Sequence, residues 1–179
     1  MDTLPDFLRP GLDLVSVGLN PSPASVRAGF YFANPRNRFW KALNASGLSG
    51  QVLEPGIGAH HLLLEQGRIG FTDVVKRPTP GASCLRARDF REWAPRLRGK
   101  IEACRPALAW FHGRVALTQY LRYGEGREVP EGWGLLGELA CGIPFYVTPN
   151  PSPANARFGL AELIRCYDRL AAQLEQALV

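Results

Sequence analysis

The chain has 179 residues, the usual length of one domain, and 46% of them are hydrophobic against 21% charged, a composition that argues against disorder. Its apolar runs are far shorter than the ~20 residues that cross a bilayer, and its first residues carry no basic and apolar signal segment, so we expect a cytoplasmic protein without membrane contact. The net charge of +5, with 18 arginines among 21 basic residues, points to an anionic partner.

Four short apolar segments rich in strand-forming residues predict β-strands, and they comprise residues 12–19, 68–75, 107–111 and 144–148. Helical periodicity between and after them predicts helices over residues 38–46, 58–66, 90–103, 114–122 and 159–178. The Gly- and Glu-rich residues 124–137 are expected to be a surface loop. Strands separated by long helical crossovers favour a three-layer α/β/α sandwich with a central, mainly parallel sheet of four to five strands, built as one domain over residues 1–179.

Two loops that follow predicted strands share one composition. Asn20-Pro-Ser-Pro-Ala follows the first strand and Asn150-Pro-Ser-Pro-Ala follows the last. Ligands of parallel sheets bind at the carboxyl ends of the strands, proline stiffens a loop, and an Asn amide can orient a water and a ligand together. These loops are therefore candidate site loops, with a plain Asn-Pro turn as the alternative.

The positive charge is concentrated in two segments. Residues 76–100 hold eight basic residues against two acidic ones, and residues 27–41 hold four basic residues and no acid. Guanidinium groups match phosphate geometry, which favours a nucleic acid partner. The alternative is a solvated helix face in an Arg-rich chain.

Cysteines and histidines show no metal-binding spacing. The four cysteines are at least 20 residues apart, and the adjacent His60 and His61 and the distant His112 form no ligand set. We expect free thiols and no metal or cofactor, and we expect a lone histidine on an apolar segment to be structural. The four tryptophans are likewise expected to be core or half-buried residues.

Three segments together resemble the mismatch-specific uracil-DNA and thymine-DNA glycosylase family. The first is Val17-Gly-Leu-Asn-Pro-Ser followed by Gly29-Phe-Tyr-Phe-Ala-Asn-Pro-Arg-Asn-Arg-Phe-Trp40. The second is Gly70-Phe-Thr-Asp-Val-Val-Lys-Arg-Pro-Thr79, and the third is Pro149-Asn-Pro-Ser-Pro-Ala-Asn-Ala156. They occur in family order over most of the chain. The resemblance implies an α/β enzyme without a metal that flips uracil out of mismatched duplex DNA and hydrolyses its glycosidic bond, leaving an abasic site.

The resemblance also assigns residues to roles. Asn20 matches the residue that positions the hydrolytic water, and Phe32 matches the aromatic that stacks on the extruded base. The other substrate-binding positions it implies are Gly18, Leu19, Pro21, Gly29, Phe30 and Asn150. The DNA-binding positions expected from the motifs and from the basic segments are Ser22, Arg38, Lys76, Arg77, Ser152, Pro153, Ala154, Asn155, Ala156 and Arg157.

The chain departs from better-known members of that family at two places. The tip of the last loop, Pro153 to Ala156, has no large apolar side chain, and its nearest arginine is Arg157. Strict dependence on guanine opposite the lesion is therefore open, as are the base spectrum, including thymine, and the oligomeric state, for which a monomer is expected. Ser22 stands where many members carry Gly.

Asp73 is a second catalytic candidate, because it ends the second predicted strand and could share a sheet edge with Asn20. Glycosidic hydrolysis passes through a sugar cation that a carboxylate can stabilise, and a carboxylate can also take a proton from water, which an Asn amide cannot do at neutral pH. The alternative is a capping or ion-paired Asp beside Lys76 and Arg77.

Two other function classes remain open at this stage. A DNA-lesion binder without activity would not need a water-positioning amide such as that of Asn20. A small-molecule or nucleotide hydrolase is disfavoured because the chain has no GxGxxG, GxxxxGK[ST] or GxSxG loop.

Overall fold

A computed structural model describes residues 1–179, and its centre is a five-stranded sheet. Strands β1 (Leu14–Gly18), β2 (Ile69–Asp73) and β3 (Leu108–His112) are buried along their whole length. Strand β4 is Gly134–Glu138, and β5 (Pro144–Thr148) is buried except at its first residue. The order in the sheet is β2-β1-β3-β5-β4, and all pairs are parallel except β4 with β5. Nearly continuous apolar runs suit parallel strands because both faces of such a sheet are covered.

Six α-helices surround the sheet: α1 (Pro23–Ala28), α2 (Phe39–Ala45), α3 (Ile57–Glu65), α4 (Ala87–Cys104), α5 (Arg114–Tyr120) and α6 (Leu160–Ala177). A 3₁₀ turn at Ala82–Cys84 precedes α4, and a π-helical turn at Leu121–Glu125 follows α5. None of these helices combines the length and the apolar character of a membrane-spanning segment.

The helices form two layers, each with its own hydrophobic core. Helices α2, α3 and α6 pack on one face of the sheet, over residues such as Leu14, Phe71 and Trp110. Helices α4 and α5 pack on the other face, over residues such as Val15 and Phe111. The alternation of side chains along each strand thus supplies both cores, and the three-layer α/β/α sandwich predicted from the sequence is confirmed.

The expectation of a loop over residues 124–137 holds for residues 126–133 and is wrong at both ends, because residues 124 and 125 belong to the π-helical turn and β4 begins at Gly134. This edge strand is mostly exposed, and its pairing with β5 is irregular between Leu135 and Gly137. Glycines and poor burial remove the alternating pattern by which a strand is recognised in sequence, so only pairing with β5 defines it.

Helix α1 was also not predicted, although its start carries a local signal. The Ser22 side chain accepts a hydrogen bond from the Ser25 N–H at 3.1 Å, and Pro23 opens the first turn. Serine as N-cap followed by proline is a favoured helix start. The first Asn-Pro loop therefore leads directly into a helix.

Candidate active site

A cavity of about 900 Å³ opens at the carboxyl edge of the sheet. Residues that follow four different strands line it, among them Asn20 after β1, Thr79 after β2, Arg114 after β3 and Asn150 after β5. The two proline-rich loops, 130 residues apart in the chain, therefore meet at one cavity. Parallel strands all end at the same edge, and a cleft at this edge is the usual ligand site of such sheets.

The Asn20 side chain is fixed by residues of the loop after β2. Its Nδ2 donates to the Arg77 carbonyl at 3.0 Å and to Thr79 Oγ1 at 2.7 Å. Both amide hydrogens are thereby used, and Oδ1 accepts no hydrogen bond from the protein. A fixed acceptor oxygen at the cavity wall is suited to orienting a water molecule.

The Asp73 carboxyl lines the same cavity as Asn20 and is only 4% exposed. Asp73 pairs in register with Gly18 of β1, and a Cβ atom at position 18 would lie 2.5 Å from Asp73 Oδ1. Only glycine leaves room for the carboxyl at this position. Asp73 Oδ2 makes no hydrogen bond and is 3.6 Å from Lys76 Nζ.

Burial raises the pKa of Asp73 from 3.8 to about 6, and the neighbouring Lys76 opposes this shift. Removal from water disfavours the charged carboxylate, which explains the direction. At neutral pH the group is mostly ionised and still basic enough to accept a proton from water. A buried carboxyl with a raised pKa beside an unsatisfied amide oxygen is a pattern of acid–base sites.

Lys76 does not face the cavity, which corrects its expected role in DNA binding. The side chain is 5% exposed, and its Nζ is 2.9 Å from Asp6 Oδ1 and 2.9 Å from the Tyr31 hydroxyl. Together with Asp73, these partners enclose the ammonium. Lys76 is therefore an internal counter-charge that phosphate cannot reach.

Arg77 is also occupied inside the protein. Its Nε and Nη2 donate to the two carboxyl oxygens of Asp89, each at 2.8 Å, and Nη2 also donates to the Cys84 carbonyl. Asp89 in turn accepts the Arg86 N–H at the start of α4. The Arg77 guanidinium therefore secures the start of α4, and its expected contact with DNA stays a prediction for the exposed third of the side chain.

Phe32 lines the cavity and is half-buried. One face of its ring stacks on Phe39 with a centroid distance of 4.2 Å, and its edge meets His112 at 5.1 Å. Its backbone φ is +58°, a left-handed conformation that costs about 1–2 kcal/mol for a non-glycine residue. Such strain is retained where the surrounding structure fixes a functional conformation.

Gly29 and Phe30 lie outside the cavity lining, unlike the neighbouring Tyr31 and Phe32. Gly29 ends α1 in the left-handed conformation, with φ of +79°. Phe30 packs against the hydrophobic core beside α2 and α3. Their expected contact with the base is corrected: they place the following aromatic residues.

The second Asn-Pro loop is held by its own hydrogen bonds. Asn150 Oδ1 accepts the Ser152 N–H at 2.9 Å, and Asn155 Nδ2 donates to the Asn150 carbonyl at 3.0 Å. Gly113 lies against this loop, since a Cβ there would be 3.1 Å from Asn150 Cβ. Other residues of the loop also line the cavity: Ser152, Pro153, Ala154, Asn155 and Arg157. Ala156 is exposed but lies outside the lining.

Arg38 organises this loop from α2. Its guanidinium donates to the carbonyls of Ser152 and Asn155, each at 2.9 Å, and to those of Pro151 and Phe158. Its donors are turned inward, which corrects the expected phosphate contact. Arg38 is a clamp that gives the loop its shape before any ligand arrives.

The remaining expected site residues of the first loop face the cavity. Gly18, Leu19, Pro21 and Ser22 line it together with Asn20. Ser22 also caps α1, so its hydroxyl has a structural partner. No group of three or more His, Cys, Asp or Glu side chains is arranged to hold a metal ion.

Several lining residues, among them His112 and Trp133, were not predicted as site residues. His112 ends β3, its Nε2 is 2.7 Å from Ser16 Oγ, and its Nδ1 has no partner. Burial lowers the pKa of His112 to about 3, so the ring is neutral. Trp133, expected to be core or half-buried, is 41% exposed at the cavity rim. The strand-end position of His112 was a usable signal, whereas Trp133 lies in the predicted loop before β4, where no local pattern indicates that a side chain reaches the cavity.

Comparison with known proteins agrees with this architecture. Residues 5–174 match the profile of the Uracil DNA glycosylase superfamily. The solution NMR structure of a candidate uracil DNA glycosylase from Methanosarcina acetivorans superposes with a TM-score of 0.61 at 25% sequence identity, over 97% of each chain. Because the family profile covers nearly the whole chain, the protein belongs to the uracil DNA glycosylase superfamily.

Proposed function

We propose that the protein is a monofunctional DNA glycosylase that excises uracil from mismatched DNA by hydrolysis and leaves an abasic site. One observation carries this proposal. The free Oδ1 of Asn20, the buried carboxyl of Asp73 and the half-buried ring of Phe32 line a single cavity. This set supplies a water-orienting acceptor, a base and an aromatic surface within one cavity of about 900 Å³.

Entry of the base requires flipping, because a base stacked in a duplex cannot reach the cavity floor. Flipping costs a few kcal/mol, which contacts to phosphate and insertion of protein into the duplex can offset. The clamped loop at Ser152 to Arg157 is suited to insertion because Arg38 has already fixed its backbone. The guanidinium groups of Arg36 and Arg157, which line the cavity, can bind phosphate groups of the DNA backbone.

The flipped pyrimidine stacks on the face of Phe32 opposite Phe39, and Asn150 and the backbone of the first loop meet its polar edge. Water held by Asn20 attacks C1′ of the sugar while Asp73 stabilises the developing cation and accepts the proton. The departing uracil anion is stabilised by backbone N–H groups of the non-proline residues in the first loop.

A hydrolytic, monofunctional reaction is supported by the state of Lys76. A Schiff-base mechanism needs an accessible neutral amine, whereas this ammonium is enclosed by Asp6, Asp73 and Tyr31. Water is therefore the proposed nucleophile. The proposed substrate is double-stranded DNA with a U·G or related mismatch, acted on by a monomer.

An excision panel tests the proposal on duplexes with U·G, U·A or T·G pairs and on single-stranded uracil DNA. We expect alkali-labile sites in U·G duplex with the wild type and a loss of at least about 100-fold in single-turnover rate for Asn20→Ala, in the range seen when a group positioned for the transition state is removed. Gln176→Ala, which removes an exposed amide on α6, is the matched control and should keep the wild-type rate.

Undiminished excision by Asn20→Ala would contradict the assignment. Salt-dependent binding of U·G duplex by the wild type without any strand cleavage after alkali would favour a lesion-binding protein instead.

A further inference from the structure

Trp133 is an exposed indole at the rim of the cavity. It is 41% exposed, whereas Trp40 is 4% exposed and Trp110 fully buried. Its ring meets the Phe158 ring edge to face, with a centroid distance of 5.3 Å and an interplanar angle of 71°. Trp133 and Phe158 thus form an aromatic pair beside the loop that Arg38 clamps, and both residues line the cavity.

The segment that carries Trp133 is held in place. Arg114, at the start of α5, donates to the Pro130 carbonyl at 2.8 Å and to the Gly132 carbonyl. Gly132 and Gly134, on either side of the tryptophan, have φ of +100° and +85°, a region that favours glycine. The exposed position of the indole is therefore fixed by the backbone and is not the result of a loose side chain.

The charge around the pair favours an anionic ligand with aromatic groups. Arg36 and Arg157 reach the same cavity and form no ion pair, while Asp73 is its one acidic lining residue and is buried. The Arg157 guanidinium lies 5.3 Å from the Phe158 ring centroid. Exposed aromatic rings flanked by arginines are the usual means of holding nucleic acid strands, because every base offers a π-face and every phosphate a charge.

We propose that Trp133 is a second stacking surface, which holds a nucleobase of the lesion strand next to the extruded nucleotide. The inference rests on the proposed function in that it needs a DNA strand at this cavity. Phe158 supports the indole from the side, and Arg157 meets the adjoining phosphate. Phe32 and Trp133 thereby hold two different bases at two places in one cavity.

Binding is the direct test, measured with a short duplex containing one U·G pair in the Asn20→Ala background, which prevents turnover. We expect Trp133→Ala to raise Kd about tenfold, Trp133→Leu to do the same, and Trp133→Phe to raise it less than about threefold, since base–aromatic stacking requires a ring. Leu135→Ala, which removes an exposed apolar side chain of β4 outside the cavity, is the matched control and should leave Kd unchanged.

Intrinsic fluorescence distinguishes stacking from support of the fold. Base stacking should quench the wild-type tryptophan signal when the duplex is added. Trp133→Phe should lose this quenching, because Trp40 and Trp110 are buried and the half-buried Trp93 on α4 lies outside the cavity. Unchanged quenching or unchanged Kd in the Trp133 variants would overturn the inference. The two proposals can be distinguished. If Trp133→Phe loses the quenching but the wild type excises no base from any substrate, the stacking surface is supported and the proposed function is contradicted.

Discussion

At Asp73 the demands of folding and of the proposed chemistry oppose each other. Its pKa of about 6 in the folded protein lies above the ordinary 3.8, so the folded state binds the proton more tightly than the unfolded chain does. The contribution of this group to stability is complete below about pH 4 and is lost as the pH rises through 6. At about 1.4 kcal/mol per pKa unit, the ionised group costs about 3 kcal/mol at neutral pH.

Replacing Asp73 by Asn should therefore make the protein more stable and less active. We expect the free energy of unfolding at pH 7 to rise by up to about 3 kcal/mol, with a smaller rise at pH 4, measured by urea denaturation. Excision by the wild type should decline below about pH 6 as the carboxyl takes up its proton. Full single-turnover excision by Asp73→Asn would remove Asp73 from the mechanism and leave it a structural group.

Site residues could be predicted from the sequence where their position at the end of a strand places them at the cavity. Asn20, Asp73 and Asn150 directly end or follow strands, so a correct strand prediction already places them at one edge. The roles of Lys76 and Arg38 depend on partners such as Asp6 and Asn155, which lie 70 and 117 residues away. No local pattern indicates whether such a cation faces solvent or an internal acceptor.

At the scale of elements, the loop after β5 depends on α2. Arg38 binds four of its carbonyl groups across more than 110 residues of sequence. Hydrogen bonds from a charged donor contribute about 1.5–3 kcal/mol each where both groups are buried, and somewhat less at this half-buried position. The loop therefore has its shape in the free protein, which lowers the entropy cost of binding.

Arg38→Met should remove this clamp while keeping most of the apolar side-chain length. We expect faster amide hydrogen exchange in residues 151–158 and a loss of at least tenfold in excision (about 1.4 kcal/mol). Lys41→Met on the same helix is the control, since its side chain is exposed and forms no ion pair. Wild-type exchange in the loop of Arg38→Met would show that Pro151 and Pro153 suffice to hold it.

Helices with a clear periodicity of apolar residues were predicted, whereas elements that depend on contacts with their neighbours were not. The predicted helices over residues 90–103 and 159–178 correspond to α4 and α6, within three residues at each end. Strand β4, Gly-Leu-Leu-Gly-Glu, does not alternate apolar and polar residues, and α1 has only six residues, too few for a periodic signal. Both are fixed by contacts with neighbouring elements.

At the scale of the whole molecule, the basic residues that cluster in the sequence are not the ones left unpaired in the folded protein. Of the eight basic residues from 76 to 100, five form ion pairs with acids of the protein: Lys76, Arg77, Arg96, Arg98 and Lys100. The densest basic segment of the sequence is thus largely neutralised, as in the alternative of a solvated helix face. Three arginines line the cavity without an ion pair, and Arg114 among them donates to the carbonyls of Pro130 and Gly132. Arg36 and Arg157 are the two whose side chains make no hydrogen bond within the protein.

These two arginines should account for a measurable share of the salt dependence of DNA binding. The slope of log K against log salt changes by about 0.9 for each phosphate contact. We expect the variant with both Arg36→Gln and Arg157→Gln to bind U·G duplex more weakly and with a slope smaller by about 1.8. Arg165→Gln on α6, an exposed residue without an ion pair, should change neither quantity.

The overall architecture was the most predictable level. Four apolar strands separated by helical crossovers leave few topologies, and the right-handed crossover rule restricts these further. The fifth strand and the distribution of helices between the two faces required the structure.

The strand order has a consequence for synthesis of the protein. Strand β5 is the last in the chain, yet it lies inside the sheet between β3 and β4, and the loop that follows it completes the cavity. A nascent polypeptide that stops before Asn150 has neither the second Asn-Pro loop nor the covering helix α6. The cavity therefore forms only after these residues have been synthesised, and termination before Asn150 should yield inert products rather than weakly active ones.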